Sequence, residues 1–263
     1  MELKKKLMSF ALIACMAGSF SAFGASEVNA TATNPTQAQT LTYGNDTFGT
    51  MIIKNDYEKE SHYYKFKTSS VSGIKYTVRV TCTDKMKSWD GGGRTFWVGL
   101  MDDDYDAIHQ DGTKRDATTP YFGYLDNVGD VTSETYQTLK PNSTYYVRIL
   151  NSGLETEGDR LSYAVCVKKS VVKPGKPVVK SCKAGKKKLT FSYYKTKYAK
   201  RYQVQMKVRG GSWKTYNNGT KLSKTIYKLK KGKKYTVRVR AQRYVSGKWY
   251  SGPWSKSRTV KVR

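Results

Sequence analysis

Acidic residues are missing from the last third of this chain. The sequence of 263 residues has 48 Lys and Arg against 20 Asp and Glu, but residues 172–263 hold 29 of the basic residues and none of the acidic ones. The part before residue 172 is therefore nearly neutral, and such asymmetry indicates two domains with different surfaces. A surface this basic either attracts a polyanion or only keeps the protein solvated, and the sequence leaves both open.

Histidine is also scarce, with two residues in the chain. His62 and His109 lie in different segments, and neither has a metal-ligating partner at a usable spacing. No His-x-x-x-His, Cys-x-x-Cys or serine nucleophile-elbow motif occurs. We expect His62, at the start of a strand, to be solvated or at a strand edge. The sequence predicts a protein without catalysis, with an unrecognised hydrolase site as the remaining alternative.

Long apolar runs are absent after the N-terminus. Residues 1–30 have a basic head, Lys4–Lys6, then an apolar run and small residues, which is the pattern of a secretory signal peptide. The segment Leu12–Cys15 resembles a bacterial lipobox, in which Cys15 would be lipidated. The apolar run continues past Cys15, which favours ordinary cleavage. In both cases we expect export, to the cell surface or the medium, with no transmembrane domain in the mature chain.

Three of the four cysteines lie beyond the signal segment. Cys82 ends one strand-like run and Cys166 lies in another, so a disulfide between them is one expectation. The alternative is that they are buried small hydrophobic residues. Because the count is odd, at least one of Cys82, Cys166 and Cys182 must be unpaired or pair with another molecule.

Alternating aromatic and β-branched residues dominate the mature chain. Residues 31–42 show no periodicity and are predicted to be a flexible leader. Residues 43–170 contain strand-length runs such as HYYKFKT, IKYTVRVTC and LSYAVCV, separated by Gly-rich loops. They predict an antiparallel, jelly-roll-like β-sandwich. Its motifs HYYKFKT–KYTVRV and LKPNSTYYVRI–YAVCV weakly resemble the bacterial pre-peptidase C-terminal domain, which implies an accessory domain of an exported protein.

A second set of strands follows the linker 171–177, which contains Pro174 and Pro177. The segments KKLTFSYYKTKYAKRYQVQM, LKKGKKYTVRVRAQ and GPWSKSRTVKV resemble a fibronectin type III domain of the Lys-rich kind found in bacterial surface proteins. Tyr193 stands where that family usually has Trp. The resemblance implies that residues 178–263 form a seven-stranded immunoglobulin-like sandwich. The whole chain is therefore predicted to be all-β, with two consecutive antiparallel sandwiches.

The hexapeptide KYTVRV occurs at residues 75–80 and 234–239. Tyr235 and Tyr145 each follow a Leu by six residues, which is the spacing of a tyrosine corner, where the hydroxyl bonds to the turn backbone. Tyr76 lacks that Leu. We therefore expect Tyr76 to lie in an ordinary core strand, with a hydroxyl that contributes less to stability.

Two loops of the first sandwich offer local chemistry. Alternating carboxylates could converge on a calcium ion, although the match to an EF-hand loop fails; the alternative is a solvated hairpin. These carboxylates are Asp102, Asp104, Asp106 and Asp111. Trp89, in the loop WDGGGR, and Trp97 are candidates for stacking on a sugar ring. The more common role of such a Trp is to close the end of a sandwich.

The second sandwich is predicted to present one basic face. Strand alternation turns Tyr235, Val237 and Val239 inward and the residues between them outward. The outward cations that would share this face are Lys207, Arg238, Arg240, Lys261 and Arg263. Such a face could bind an anionic cell-wall polymer or polysaccharide by charge, or it could only discourage edge pairing. Export argues against nucleic acid as the physiological partner.

These features predict an exported bacterial binding, adhesion or spacer protein that carries a polycationic module. The alternative is a carbohydrate-binding accessory protein that acts through loops of the first sandwich. No cofactor is predicted besides the possible calcium ion.

Overall fold

The computed structural model describes residues 33–53, 60–86, 96–115, 120–151 and 158–263. The signal segment, with Cys15, and the Trp89 loop lie outside the described residues, so the predictions made for them stay predictions. Within the described ranges, no helix is long and apolar enough to cross a membrane. The fold is all-β, with antiparallel sheets that form sandwiches.

The first sandwich consists of two sheets. Its strands are β1 (Gln39–Thr40), β2 (Thr47–Ile52), β3 (Ser61–Lys67), β4 (Ile74–Met86), β5 (Phe96–Met101), β6 (Gly123–Leu125), β7 (Val131–Tyr136), β8 (Thr144–Asn151) and β9 (Arg160–Val171). One sheet has the order β1-β3-β8-β5-β6 and the other β2-β9-β4-β7. Apart from the short parallel strand β1, these are the two four-stranded sheets of a jelly roll. Because β1 pairs with β3 and Leu41 is buried in the core, the prediction of a flexible leader over residues 31–42 is wrong for residues 39–42.

Alternation explains the core of the first sandwich. Tyr76, Val78 and Val80 of β4 are buried against Tyr64 and Phe66 of β3, and the intervening residues of β4 are half-exposed. These large rings fill the space between the sheets.

The predicted disulfide between Cys82 and Cys166 is wrong. The strands β4 and β9 are neighbours, but their register places Cys166 opposite Arg79 and Cys82 opposite Tyr163. Side chains three positions apart along a strand point to opposite faces of a sheet. Cys82 belongs to the core between the sheets, so Cys166 lies on the other face and no disulfide joins the two.

The second sandwich packs a three-stranded sheet on a larger one. Its strands are β10 (Val179–Gly185), β11 (Lys188–Tyr193), β12 (Arg201–Val208), β13 (Lys214–Gly219), β14 (Ser223–Ile226), β15 (Lys234–Val245), β16 (Lys248–Ser251) and β17 (Arg258–Lys261). The orders are β10-β11-β14 and β13-β12-β15-β16, with β17 also paired to β15. This is an immunoglobulin-like arrangement whose last strand is broken in two.

Tyr193 fills the core position that the fibronectin type III pattern usually gives to Trp. It is 2% exposed and packs 4.9 Å from the ring of Tyr202. Its hydroxyl donates to the carbonyl oxygen of Lys221 at 2.9 Å and accepts from the side-chain amide of Asn218. A large aromatic residue is therefore retained there, with a hydrogen-bonded polar end.

Tyrosine hydroxyls tie strands to turns in both sandwiches. The hydroxyl of Tyr145 accepts from the backbone N–H of Lys140, and that of Tyr235 from Lys230, each at 3.0 Å. Tyr76 lies in a core strand, as expected, but its hydroxyl also accepts a backbone N–H, from Ser69. We therefore no longer expect this hydroxyl to contribute less to stability. Tyr76 and Ser69 are seven residues apart, whereas Tyr145 and Tyr235 are each five residues from their donors. The bond of Tyr76 therefore does not match the sequence spacing of a tyrosine corner.

Arg243 joins the two sandwiches. It lies on β15, is 5% exposed, and donates from Nη1 to the carbonyl oxygens of Gly73 at 2.7 Å and Val172 at 3.1 Å. Its Nη2 donates to the carbonyl oxygen of Ser72. Val245, at the end of the same strand, is buried in the core cluster of the first sandwich. The junction is therefore packed and hydrogen-bonded.

Candidate functional site

Strands β12, β15 and β17 place the predicted cations on one face of the second sandwich. In the register, Gln205 lies opposite Arg238, Gln203 opposite Arg240, and Lys261 opposite Lys234. The even-numbered residues of β15 from Lys234 to Arg240 therefore share the outer face, while Tyr235, Val237 and Val239 are buried.

The five predicted cations are not equivalent. Lys207, Arg238 and Arg240 are half-buried and lie near the middle of the sheet, whereas Lys261 is exposed on β17. Arg263 follows β17, and its carbonyl oxygen accepts from the backbone N–H of Lys187 in the β10–β11 turn. The structure thus brings the first three close together, and Arg263 lies at the edge of the face.

Two tryptophans separate these three cations. The Cζ atoms of Arg238 and Arg240 each lie 4.6 Å from the ring centroid of Trp254. Arg238 Cζ also lies 4.2 Å from the centroid of Trp213, and Lys207 Nζ lies 4.9 Å from it. We call these five residues the cation–tryptophan face: Lys207, Arg238, Arg240, Trp213 and Trp254. Stacking of this kind fixes the direction in which each guanidinium points.

Glutamine side chains of the neighbouring strand β12 accept hydrogen bonds from the two guanidinium groups. Arg238 donates from Nε and Nη2 to Gln205 Oε1, at 2.9 and 2.7 Å, and Arg240 donates from Nε to Gln203 Oε1 at 2.9 Å. The two amides are held in turn, because Gln205 donates to Thr215 and Gln203 to Asn217 on β13. A guanidinium carries five N–H donors, so most donors of both arginines remain for a ligand.

No Asp or Glu side chain of this domain neutralises the face, because residues 172–263 contain neither residue. Burial, and then the neighbouring charge of Arg238, lower the pKa of Arg240 from its usual value. Arginine stays protonated at physiological pH. The face therefore holds several close positive charges whose partners within the domain are uncharged.

A further stacked pair extends the pattern. Arg201 Cζ lies 3.5 Å from the ring centroid of Trp249, and its Nε donates to Gln242 Oε1 at 2.8 Å. Arg201 is on β12 beside Gln203, so this pair continues the outer face toward the junction with the first sandwich.

Sequence reasoning missed the tryptophans. Trp213 precedes β13 and Trp254 lies between β16 and β17, so neither belongs to a strand whose alternation would place it. The sequence does contain a signal for tryptophans on the basic surface. Three Trp that lie outside the core pattern occur in this one small and very basic domain, at positions 213, 249 and 254.

Three of the four predicted calcium ligands come together. Carboxylate oxygens of Asp102, Asp104 and Asp106 lie within 4.8 Å of one another. Asp106 forms a salt bridge with Lys114, and Asp102 Oδ1 accepts the backbone N–H groups of Asp104 and Asp106.

Asp111 is used elsewhere, because its Oδ1 accepts from the backbone and hydroxyl of Thr113. The arrangement has the form of a hydrogen-bonded turn with an ion pair, and calcium binding stays a prediction.

His62 is buried, contrary to the expectation of a solvated or edge position. It is 6% exposed, and its Nδ1 lies 2.6 Å from the hydroxyl of Tyr163, which also contacts the hydroxyl of Tyr64 at 3.0 Å. Burial lowers the pKa of His62 to about 4. His62, Tyr163 and Tyr64 therefore form a polar cluster inside the first sandwich, where His62 contacts other core residues instead of solvent.

No family model matches the chain, and no curated protein matches it. Among solved structures, the chain is similar to the FN5 domain of Drosophila Lar, with 20% identity over 34% of this chain and 96% of that chain and a TM-score of 0.27. It is also similar to the fibronectin type-III domain of human fibronectin type III domain containing protein 3, with 21% identity over 35% of this chain and 89% of that chain and a TM-score of 0.29.

A third similarity is to a beta-1,2-glucanase from Parabacteroides distasonis, with 13% identity and a TM-score of 0.31. It covers 83% of this chain but 32% of the glucanase. The chain is thus similar to fibronectin type III domains over about a third of its length. The resemblance of the first sandwich to the pre-peptidase C-terminal domain stays a prediction.

Proposed function

We propose that this is an exported, non-catalytic binding protein whose second sandwich holds an anionic polymer through the cation–tryptophan face. The single observation that carries the proposal is the stack of Lys207, Arg238 and Arg240 on Trp213 and Trp254, in a domain without Asp or Glu. The polymer would be a cell-wall polymer or an acidic polysaccharide at the cell surface.

The stacking supports binding by charge. Two cations lie over Trp254 and two over Trp213, so the ring faces are already occupied. Proteins that bind single-stranded nucleic acids need free aromatic faces on which bases stack. The remaining guanidinium donors are well suited to phosphate or carboxylate groups, which accept paired N–H donors from Arg. This combination favours a repeating polyanion over a nucleobase.

Preorganisation supports a binding role over a merely solvated surface. A free arginine side chain loses rotamer entropy when it engages a ligand. Arg238 and Arg240 are already held by Trp254 and by Gln205 and Gln203, so less entropy remains to be lost. Such stacking orders the cations more than solubility alone requires.

The export and surface location in this proposal rest on the N-terminal signal pattern. The packed junction at Arg243 suits a spacer or adhesion role, because it lets the first sandwich hold the basic module in a fixed orientation.

Binding to labelled polyphosphate and polyglutamate tests the proposal, because neither polymer contains a sugar ring. The full mature chain should bind both, with an affinity that falls steeply as salt rises. The double variant Arg238→Gln/Arg240→Gln should bind at least about tenfold more weakly at low salt.

The matched control is Lys183→Gln/Lys188→Gln, which removes the same charge from exposed positions on β10 and β11. It should lose much less affinity. Equal losses in the two double variants would show that total charge, and not this face, binds the polymer.

A further inference from the structure

Three aromatic side chains form an exposed cluster on the first sandwich. Trp97 of β5 lies at the centre, with its ring centroid 5.5 Å from that of Tyr121 and 6.0 Å from that of Tyr124 on β6. Trp97 is 36% exposed and Tyr124 is 58% exposed. The interplanar angles of 34° and 66° make the surface angled instead of flat.

A polar cleft adjoins the cluster at Tyr124. It has a volume of about 450 Å³ and lies where the edge strands β6 and β7 meet. Its polar lining includes Asp126, Asn127, Asp130 and Thr132. Asp130 Oδ2 accepts the backbone N–H groups of Asp126 and Asn127, at 2.8 and 2.7 Å, so the loop that forms one wall is held in shape.

Close packing shapes this region. A Cβ added at Gly123 would overlap the side chain of Thr132, and one added at Gly99 would lie 2.9 Å from the carbonyl oxygen of Pro120. The first approach brings β6 against β7 at the edge of the sandwich, beside the cleft. The second lets the segment that contains Tyr121 cross above β5, which presses Tyr121 toward Trp97.

We infer that the cluster and the cleft together bind a neutral polysaccharide. A sugar ring offers C–H groups to aromatic faces and hydroxyl groups to carboxylate, amide and hydroxyl oxygens. Ligand sites in proteins combine aromatic surface with a few placed polar groups in a cleft of this size.

The polar lining of the cleft decides between ligand classes. The carboxylates of Asp126 and Asp130 are hydrogen-bond acceptors, which suit the hydroxyl groups of a sugar, and the described lining has no Lys or Arg to pair with the polyanion that the second sandwich attracts. The cores of protein–protein interfaces are depleted of charged residues, whereas this site has two carboxylates beside the exposed Tyr124. An uncharged polysaccharide can place its C–H groups against the aromatic rings and donate its hydroxyl groups to the oxygens of the cleft. Trp97 is shared with the sugar-stacking site predicted from the sequence, whereas Trp89, its other member, lies outside the described residues.

Retention of the full chain on immobilised cellulose, dextran and laminarin tests the inference. The experiment uses 0.5 M salt, which shortens the Debye length to about 4 Å and so suppresses charge-driven binding. We expect retention on at least one of these neutral polysaccharides. Tyr124→Ala and Trp97→Ala should each weaken it about tenfold, by loss of one stacking partner. Tyr124→Ala alters a mostly exposed side chain, so it keeps the test valid even where Trp97→Ala unfolds.

The matched control is Tyr227→Ala, which removes a 65% exposed tyrosine from the second sandwich and should leave retention unchanged. Absence of retention on all three matrices, or equal retention of Tyr124→Ala and the wild type, would overturn the inference. Loss of polyphosphate binding in Arg238→Gln/Arg240→Gln with unchanged retention on the neutral matrix would separate this site from the polyanion face.

Discussion

The two sandwiches surround their cations in different ways. In the first, Arg115 pairs with Glu134 at 2.8 Å, both under 10% exposed, and Arg79 pairs with Asp46 at 2.7 Å. In the second, Arg238 and Arg240 lie against tryptophan rings and glutamine oxygens. Both arrangements order the side chain, but Arg238 and Arg240 have no carboxylate partner within their domain.

The two sandwiches thus share the way in which their cores are built and differ in the residues on their outer surfaces. Both sandwiches bury alternating residues and tie a strand to a turn through a tyrosine hydroxyl. Their ligand chemistry depends on what the outward positions carry. A paired arginine supports the fold, and an arginine stacked on a ring stays available to an anion.

The largest effect should come from breaking the junction that joins the two sandwiches. Arg243→Ala leaves backbone carbonyl oxygens of Ser72, Gly73 and Val172 without their charged donor. The loss should be about 4 kcal/mol. In chemical denaturation, the wild type should unfold with coupled transitions and the variant with separate ones.

The control for this junction is Arg201→Ala, which removes an arginine that stacks on Trp249 within the second sandwich. It should leave the transitions coupled. Separate transitions in the wild type would show that Arg243 does not couple the two sandwiches.

Acid should destabilise the first sandwich selectively. Burial holds the pKa of His62 at about 4, below its ordinary value of 6.5, so the unfolded chain binds the proton more tightly than the folded one. Stability is therefore complete above pH 6.5 and falls as the pH drops toward 4, by about 3 kcal/mol. Denaturation between pH 4 and pH 7 measures it.

In the Arg243→Ala background, where we expect the two sandwiches to unfold separately, the second sandwich is an internal control for acid, because residues 172–263 have no histidine, Asp or Glu. Its stability should change little over the same range. His62→Gln should flatten the pH dependence of the first sandwich, and an unchanged slope in that variant would assign the effect to other groups.

Removing the tyrosine hydroxyls should have equal effects in the two sandwiches. Tyr145→Phe and Tyr235→Phe each lose one acceptor for a backbone N–H, which should cost about 1 kcal/mol. Tyr76→Phe should cost a similar amount, because its hydroxyl accepts from Ser69. Urea denaturation would show an error if Tyr76→Phe were neutral while the other two were destabilised.

A single-atom change on the basic face should alter binding and hardly alter stability. Gln205→Glu keeps the acceptor for Arg238 but adds a negative charge beneath the cations. We expect weaker polyphosphate binding with a change in unfolding free energy below about 1 kcal/mol. Gln242→Glu, beside Arg201 at the end of the face, is the comparison, and it should weaken binding less.

Alternation predicted most of the architecture. The period of two placed Val237 and Val239 inside and Arg238 and Arg240 outside, since burial on one face is a local property of a strand. The same period of two in YQVQMKV would also turn Val208 inward, but Val208 is 36% exposed at the end of β12.

Features that depend on distant partners were not predictable. The environment of His62 is set by Tyr163, 101 residues away, and the separation of Cys82 from Cys166 is set by the register of β4 and β9. The positions of Trp213 and Trp254 depend on connections outside the strands. None of these is encoded in a local period, so only the assembled sheets reveal them.

The central claim is that Arg238 and Arg240 bind an anionic polymer, and the salt dependence of polyphosphate binding tests it most directly. The measurement compares the wild type with Arg238→Lys/Arg240→Lys and with Arg238→Gln/Arg240→Gln. The slope of log K against log salt counts the charges that contact the polymer. The lysine variant should keep the wild-type slope with lower affinity, because the charge stays and the paired donors are lost. The glutamine variant should have a slope smaller by about 2. Three equal slopes would contradict the account.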